Sequence, residues 1–288
     1  MSMFKLFNAD CCKELKNIPD CSIDVVISDI PYGIDFDSWD VKHDNSNSSL
    51  LKSSPAQLKS SVFKRRGKPK NGWSYEDKNR PAEFQMFCEE WFSELFRITK
   101  PCSPVILFTG RQNQHRVTIA AENSGFIFKD YIVWNKLQAP FRAQNINKVL
   151  EKQGKSIDGE FRLGSLAPVA EPILWLFKPY KIGSTITEHF IQTGLGCVET
   201  SEIKTNIIEF NSRISCKSHP TEKPVELIEI LVKMFSIEGH TVLDMFMGSG
   251  TTGVACANTN RNFIGIESSE DFFKIAEARV SLSYSNKI

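Results

Sequence analysis

Residues 242–253 read Val-Leu-Asp-Met-Phe-Met-Gly-Ser-Gly-Thr-Thr-Gly. An apolar run ends on an acid, Asp244, passes through a glycine-rich turn and enters a helix start. That is how a parallel strand hands over to a helix while leaving room for a ligand. Glycine permits positive φ and lets the backbone come close to a bound molecule, and the helix start offers unpaired N–H groups. About 20 residues later, 262–267 read Asn-Phe-Ile-Gly-Ile-Glu and end on a second acid, Glu267. Nucleotide-binding α/β folds hold ribose hydroxyls with an acid at that point. The two runs predict a site for an adenosine-containing cofactor. Residues 248–253 also fit the dinucleotide spacing Gly-x-Gly-x-x-Gly, and a turn without any ligand fits them as well, so the glycines alone do not choose.

A second motif lies far upstream. Residues 23–33 read Ile-Asp-Val-Val-Ile-Ser-Asp-Ile-Pro-Tyr-Gly: another apolar strand ending on an acid, Asp29, then turning at Pro31, with Tyr32 expected exposed at the turn. This resembles the Asp-Pro-Pro-Tyr motif of the amino-methyltransferases. Residues 242–253 resemble their Asp-Pro-Phe-x-Gly-Ser-Gly-Thr cofactor loop, and His219-Pro220-Thr221-Glu222-Lys223-Pro224 resembles their His-Pro-Thr-Gln-Lys-Pro segment. In this order the three resemble the β-class DNA methyltransferases, in which the catalytic half comes first and the cofactor half last. The sequence departs from the pattern at Ile30, which replaces the first proline, and at Met245 and Met247, which flank Phe246. Ile30 matters more, because two prolines stiffen the turn and here one is lost.

The resemblance implies S-adenosyl-L-methionine as cofactor and double-stranded DNA as partner. It admits a homodimer and a cognate restriction endonuclease. Residue by residue it assigns catalysis to Asp29, Ile30, Pro31 and Tyr32. It assigns the cofactor to Asp10, Cys11 and Asp29, then to His219, Thr221 and Lys223, and then to Asp244, Phe246, Gly248, Ser249, Gly250, Thr251, Glu267 and Ser268. Asp10 would approach the adenine. As a residue it equally reads as the N-cap of a helix over 12–16.

The chemistry asked of the Asp29 turn is concrete. An exocyclic amine is a poor nucleophile because its lone pair is delocalised into the ring. The Asp29 carboxylate and the Ile30 carbonyl can accept its N–H bonds and aim the lone pair at a methyl group. Extruding a base from a duplex costs a few kcal/mol, and stacking on an aromatic such as Tyr32 returns about 1–3 kcal/mol. The competing view of Asp29 is a strand-end acid capping a turn.

Composition bounds the rest. Hydrophobic residues at 41% and charged residues at 24% place the chain among soluble globular proteins. The N-terminus has no signal-peptide pattern, and no apolar run reaches the ~18 residues of a membrane span; no membrane association and a cytoplasmic location are expected. The eight cysteines contain no Cys-x-x-Cys pair and the five histidines lack ligand spacing, which predicts reduced thiols and no metal. The formal net charge is only +1, so attraction to nucleic acid must be local. Residues 59–70 carry six cations and no acid, and without them the chain would stand at −5.

That basic run lies within 37–80, read as a loop inserted after the Asp29 turn. Lys64, Arg65, Arg66, Lys68 and Lys70 are its candidate DNA contacts; a solvated loop is the competing view. Residues 135–215 are the candidate target-recognition region, with Lys136 and Arg142 as further DNA contacts and with asparagines and glutamines suited to adenine edges.

Strand patterns at 4–7, 105–109, 126–134 and 173–177 alternate with helices at 81–98, 114–123, 224–235 and 270–283. The aromatics of 81–98 are expected in the core. The fold class is α/β: one 288-residue domain with a Rossmann-like, largely parallel sheet, helices on both faces, and the permuted order catalytic half first, cofactor half last. The leading function is DNA methylation at an exocyclic amine, with adenine N6 favoured because cytosine-N4 relatives usually open the tetrad with Ser. Cytosine N4, a non-catalytic DNA-binding subunit and a nicotinamide-dependent oxidoreductase are the alternatives.

Overall fold

A computed structural model describes residues 3–33, 75–139, 145–162, 166–211 and 222–285. Eight strands form one sheet: β1 (Phe4–Asn8), β2 (Val25–Asp29), β3 (Pro104–Phe108), β4 (Ile127–Asn135), β5 (Ala170–Phe177), β6 (Ile207–Glu209), β7 (Thr241–Asp244) and β8 (Asn262–Glu267). Their order across the sheet is β1-β8-β7-β2-β3-β5-β4-β6. Every described pairing is parallel except those of β5, which runs antiparallel to both β3 and β4. The C-terminal strands β7 and β8 thus sit between β1 and β2, as the permuted order predicts.

The inner strands alternate between two buried layers, as a period-2 backbone requires. Val25, Ile27, Ile106, Phe108 and Val242 face one layer, whereas Val26, Val105, Leu107 and Leu243 face the other. The first layer is covered by α6 (Val225–Phe235), α7 (Thr251–Asn258) and α8 (Glu270–Ser285). The second is covered by α1 (Cys11–Glu14), α2 (Tyr75–Ile98) and α3 (Gln114–Asn123). α6 shows why these residues make a helix that docks: Leu227, Ile228, Leu231, Val232 and Phe235 recur at helical spacing and are all buried.

Several boundaries differ from the expectation. α2 begins at Tyr75, inside the stretch read as the basic loop, and carries Pro81 within it rather than at its start. Residues 179–206, which show little sequence pattern, contain α5 (Ile186–Thr193), opened by a capping box in which the Thr185 hydroxyl accepts the Glu188 N–H at 3.2 Å and the Glu188 carboxylate accepts the Thr185 N–H at 2.9 Å. Another short helix, α4 (Ile146–Glu151), falls in the candidate recognition stretch. Of that stretch, β5 and β6 are built into the central sheet. Among the described residues no helix is long and apolar enough to cross a membrane.

Two glycines of the 248–253 turn do opposite jobs. Gly253 lies where α7 meets β8 and α8: a Cβ there would stand 2.6 Å from Val280 Cγ2 and 2.7 Å from Phe263 Cε1. Gly248 adopts φ +51°, and a Cβ there would meet no atom within 4 Å. Gly253→Val is therefore expected to destabilise the fold by about 1–3 kcal/mol through overpacking, read as a lower urea midpoint; an unchanged midpoint would show that α7 does not pack this closely.

Candidate active site

β2 and β7 are neighbours, with Val25 opposite Val242 and Val26 opposite Leu243. Their carboxyl ends, Asp29 and Asp244, therefore open on the same rim, at the point where α/β sheets bind ligands. A cavity of about 800 Å³ lies there, within the usual range for a small-molecule site. All four residues of the Asp29 turn line it, as do Asp10, Cys11, Lys223 and both acids that end the C-terminal strands.

One end of the cavity is built from β7, β8 and the glycine turn. Glu267 Oε2 accepts the Gly248 N–H at 2.9 Å and Oε1 accepts the Ser269 N–H at 2.8 Å. Burial raises the Glu267 pKa, against those backbone bonds. Asp244 is buried and accepts from Ser28 Oγ at 2.6 Å, Thr252 Oγ1 at 2.7 Å and the Phe246 N–H at 3.2 Å. Burial outweighs these bonds and pushes its pKa up to about 6. The open space above Gly248 and the Glu267 carboxylate beside it suit a nucleoside's ribose.

Asp29 anchors the other end, and 27% of its side chain remains exposed. Tyr32 OH lies 3.0 Å from Asp29 Oδ1 and 2.8 Å from Glu171 Oε1. The Lys223 ammonium pairs with Asp29 Oδ2 and stands 3.3 Å from Glu171 Oε1. Glu171 also pairs with Lys136. Two lysines and two carboxylates thus balance in charge around one phenol. Burial raises the Asp29 pKa against the pull of Lys223, and Glu171 adds to the rise. Burial opposes charge on Glu171 too, but Lys223 and Lys136 prevail and bring it down to about 2. On Lys223 burial is outweighed by Asp29 and Glu171, and its pKa stands above the ordinary value.

Several expected positions differ. Tyr32 is half-buried and tied into the network rather than exposed at the turn. Phe87 of α2 packs against the core as expected and also lines the cavity. Gly250 does not line it; a Cβ there would meet Ala276 and Val280 of α8 at 3.0 Å. The Asp10 side chain makes no cap hydrogen bond, so its carboxylate is left to the cavity. Lys136 is engaged by Glu171 inside the site. His219, Thr221, Lys64, Arg65, Arg66, Lys68, Lys70 and Arg142 lie outside the described residues.

Three contributors had little sequence signal. Glu171 is the second residue of β5 and lies two residues before the expected strand, as a lone acid near the head of an apolar run. Arg279 lies on α8 and donates to the Ser249 carbonyl at 2.7 Å and Oγ at 2.8 Å, while pairing with Glu222 at 2.7 Å. Asn113, in the turn after β3, donates to the Tyr32 carbonyl at 2.9 Å and the Gly33 carbonyl at 3.2 Å.

A family profile described as DNA methylase, of the N6/N4 class, matches residues 23–278. The chain belongs to this DNA methylase family. The type II methyltransferase M.HindIII of Haemophilus influenzae is 42% identical to the methylase, covering 98% of this chain and 96% of the relative. The type II methyltransferase M.HinfI of the same species is 25% identical over 96% of this chain and 67% of its own length. Two solved structures share the fold. The M1.HpyAVI–SAM complex is 22% identical with a TM-score of 0.59, covering 96% of this chain and 99% of that one. The cytosine-N4-specific PvuII DNA methyltransferase is 16% identical with a TM-score of 0.60, covering 99% and 93%.

The Asp244 shift has a measurable sign. Its folded pKa of about 6 exceeds the ordinary 3.8, so the folded protein holds a proton that the unfolded chain releases. The stability from this group is full below pH ~4 and lost as the pH rises through about 6. The stability difference between wild type and Asp244→Asn is expected to tilt against the wild type across that window in thermal melts without ligand. A flat difference would mean that Asp244 ionises as an ordinary carboxylate.

Proposed function

We propose that the methylase transfers a methyl group from S-adenosyl-L-methionine to the exocyclic amine of a base flipped out of a specific sequence in double-stranded DNA, and that the base is adenine, modified at N6. The observation that carries this reading is the single cavity walled by the Asp29-Ile30-Pro31-Tyr32 turn at one end and by Gly248 and Glu267 at the other. The type II relative supports a sequence-specific role beside a cognate endonuclease, in the cytoplasm with the DNA. The acid at position 29 supports adenine.

Bound S-adenosyl-L-methionine supplies an electrophilic methyl group on a sulfonium. This chain's residues do the rest. Glu267 and the Gly248 turn hold the ribose, Asp10 and Cys11 border the adenine, and Asp244 places a negative charge for the ammonium. Asp29 accepts an N–H of the target amine, and the Ile30 carbonyl accepts the other. With both hydrogens held, the nitrogen lone pair leaves the ring and points at the methyl carbon. The methylated nitrogen carries a positive charge until it loses a proton. Asp29 is the adjacent acceptor, and burial strengthens its hold on a proton. The Tyr32 ring supplies a stacking face.

DNA contact falls to two places. The basic run containing Lys64, Arg65, Arg66, Lys68 and Lys70, with Arg142, is assigned to phosphates from its charge alone. Residues 145–162 are assigned to the target sequence. They form a self-braced unit in which Asn147 donates to the Gly159 carbonyl at 2.7 Å and accepts the Phe161 N–H at 2.8 Å.

Two variants test the two ends of the cavity. Glu267→Ala is expected to weaken S-adenosyl-L-methionine binding by about 1.5–3 kcal/mol, the range for hydrogen bonds to a charged group; unchanged affinity in calorimetry would remove Glu267 from the site. Wild-type enzyme with plasmid and labelled cofactor is expected to yield N6-methyladenine, identified by mass spectrometry of the nucleosides. Asp29→Ala should bind the cofactor yet lose at least ~100-fold in turnover. Methylcytosine as the product would overturn the base assignment, and near-normal turnover of Asp29→Ala would move the chemistry away from this turn.

A further inference from the structure

Both oxygens of Asp29 are already engaged. Oδ1 faces the Tyr32 hydroxyl at 3.0 Å and Oδ2 faces the Lys223 ammonium. A target amine that brings N–H donors needs one of them, and an oxygen that already accepts a neighbouring hydroxyl offers a weaker second lone pair. The Tyr32 oxygen also lies 2.8 Å from Glu171 Oε1, and a phenol has only one proton to donate. Its contacts to the two carboxylates are therefore alternatives.

We propose that Glu171 is a positioning residue for methyl transfer: it draws the Tyr32 hydroxyl away from Asp29 and so leaves Asp29 Oδ1 open to the target amine. The inference rests on Asp29 being the acceptor of that amine.

Four observations support it. The contact to Glu171 is the shorter of the two. Glu171 is only 8% exposed and is flanked by the ammonium groups of Lys136 and Lys223, which keep it ionised and a strong acceptor. When the phenol proton points to Glu171, a phenol lone pair is left facing Asp29 Oδ1. Lys223 Nζ lies 3.3 Å from that phenol oxygen, so it can donate there and offset the clash of acceptors. Finally, Glu171 does not line the cavity, so its effect on the amine must pass through Tyr32 and Lys223. Gly110 leaves room for the Tyr32 side chain, since a Cβ there would stand 2.9 Å from Tyr32 Cβ, and rotation about the phenol C–O bond lets the hydroxyl change acceptor without the ring moving.

Glu171→Gln keeps the shape and removes the charge. The hydroxyl then returns to Asp29 and competes with the amine. The expected result is a fall in kcat of about 10- to 100-fold, the equivalent of one hydrogen bond to a charged group, with S-adenosyl-L-methionine affinity unchanged in calorimetry. The decisive comparison is the same substitution in a Tyr32→Phe background. With no hydroxyl to return, Glu171→Gln should cost at least about 5-fold less there, since coupled residues are non-additive. Equal costs in the two backgrounds would overturn the proposal, as would a cost that appears in cofactor affinity and not in kcat. If Glu171→Gln does not fold, Glu171→Gln/Lys136→Gln removes the buried charges as a pair and the same comparison decides. Asp29→Ala separates the layers. If it is inactive while the two costs are equal, only the role of Glu171 falls; if it retains turnover, the amine assignment falls and this inference with it.

Discussion

The site depends on the pairing of β2 with β7. Val25 and Val26 lie against Val242 and Leu243, more than 200 positions apart in sequence. This contact puts the Asp29 turn and the glycine turn on one rim. It is buttressed where Ser28 Oγ reaches Asp244 at 2.6 Å and where the Asp24 carboxylate accepts the Thr241 N–H at 2.8 Å. Ser28 stands just before the Asp29 turn and Asp244 just before the glycine turn, so one buried hydrogen bond fixes their relative height. The cavity exists because β7 and β8 enter the sheet between β1 and β2.

The central strands and the two motifs were legible because their signals are local. Apolar runs ending on an acid mark strand ends, and glycine spacing marks the turn. β8 falls on the predicted residues, 262–267, and α3 on 114–123. What could not be read depends on tertiary contact. Glu171 resembles any acid at a strand start until β5 runs antiparallel beside β4 and puts it opposite Trp134, next to the Lys136 that follows. Arg279 sits on a helix face whose only distinction is that Ser249 and Glu222 lie beneath it. α5 escaped notice because its capping box is a four-residue signal within a weakly patterned stretch.

The charge network around Tyr32 makes physical sense as a device for holding geometry. A buried ion pair contributes little net stability because desolvation offsets attraction. Glu171, Lys223, Asp29 and Lys136 are costly to bury singly, and together they leave few other arrangements in which every group keeps a partner. A site that holds its reacting group by hydrogen bonds needs its acceptors fixed beforehand, since reorganisation at the moment of reaction adds to the barrier. Lys223 does this from two sides. It pairs with the carboxylates and also lies 5.1 Å from the Phe108 ring centroid, so its position is set by β3 as well as by β2 and β5.

The same logic explains how Ile30 can replace a proline in the Asp29 turn. Proline would stiffen the backbone by fixing φ. Here stiffness comes from contacts on every side of the turn. The Ile30 side chain is 2% exposed, packed in the layer that holds Val26, Trp91 and Leu107. Asn113 clamps the carbonyls of Tyr32 and Gly33. The Tyr32 hydroxyl is held by acids at its far end. A turn pinned before, after and through its side chain needs no second ring. Ile30 adds an apolar anchor that ties the backbone carbonyl of the Asp29 turn to the hydrophobic core beneath it.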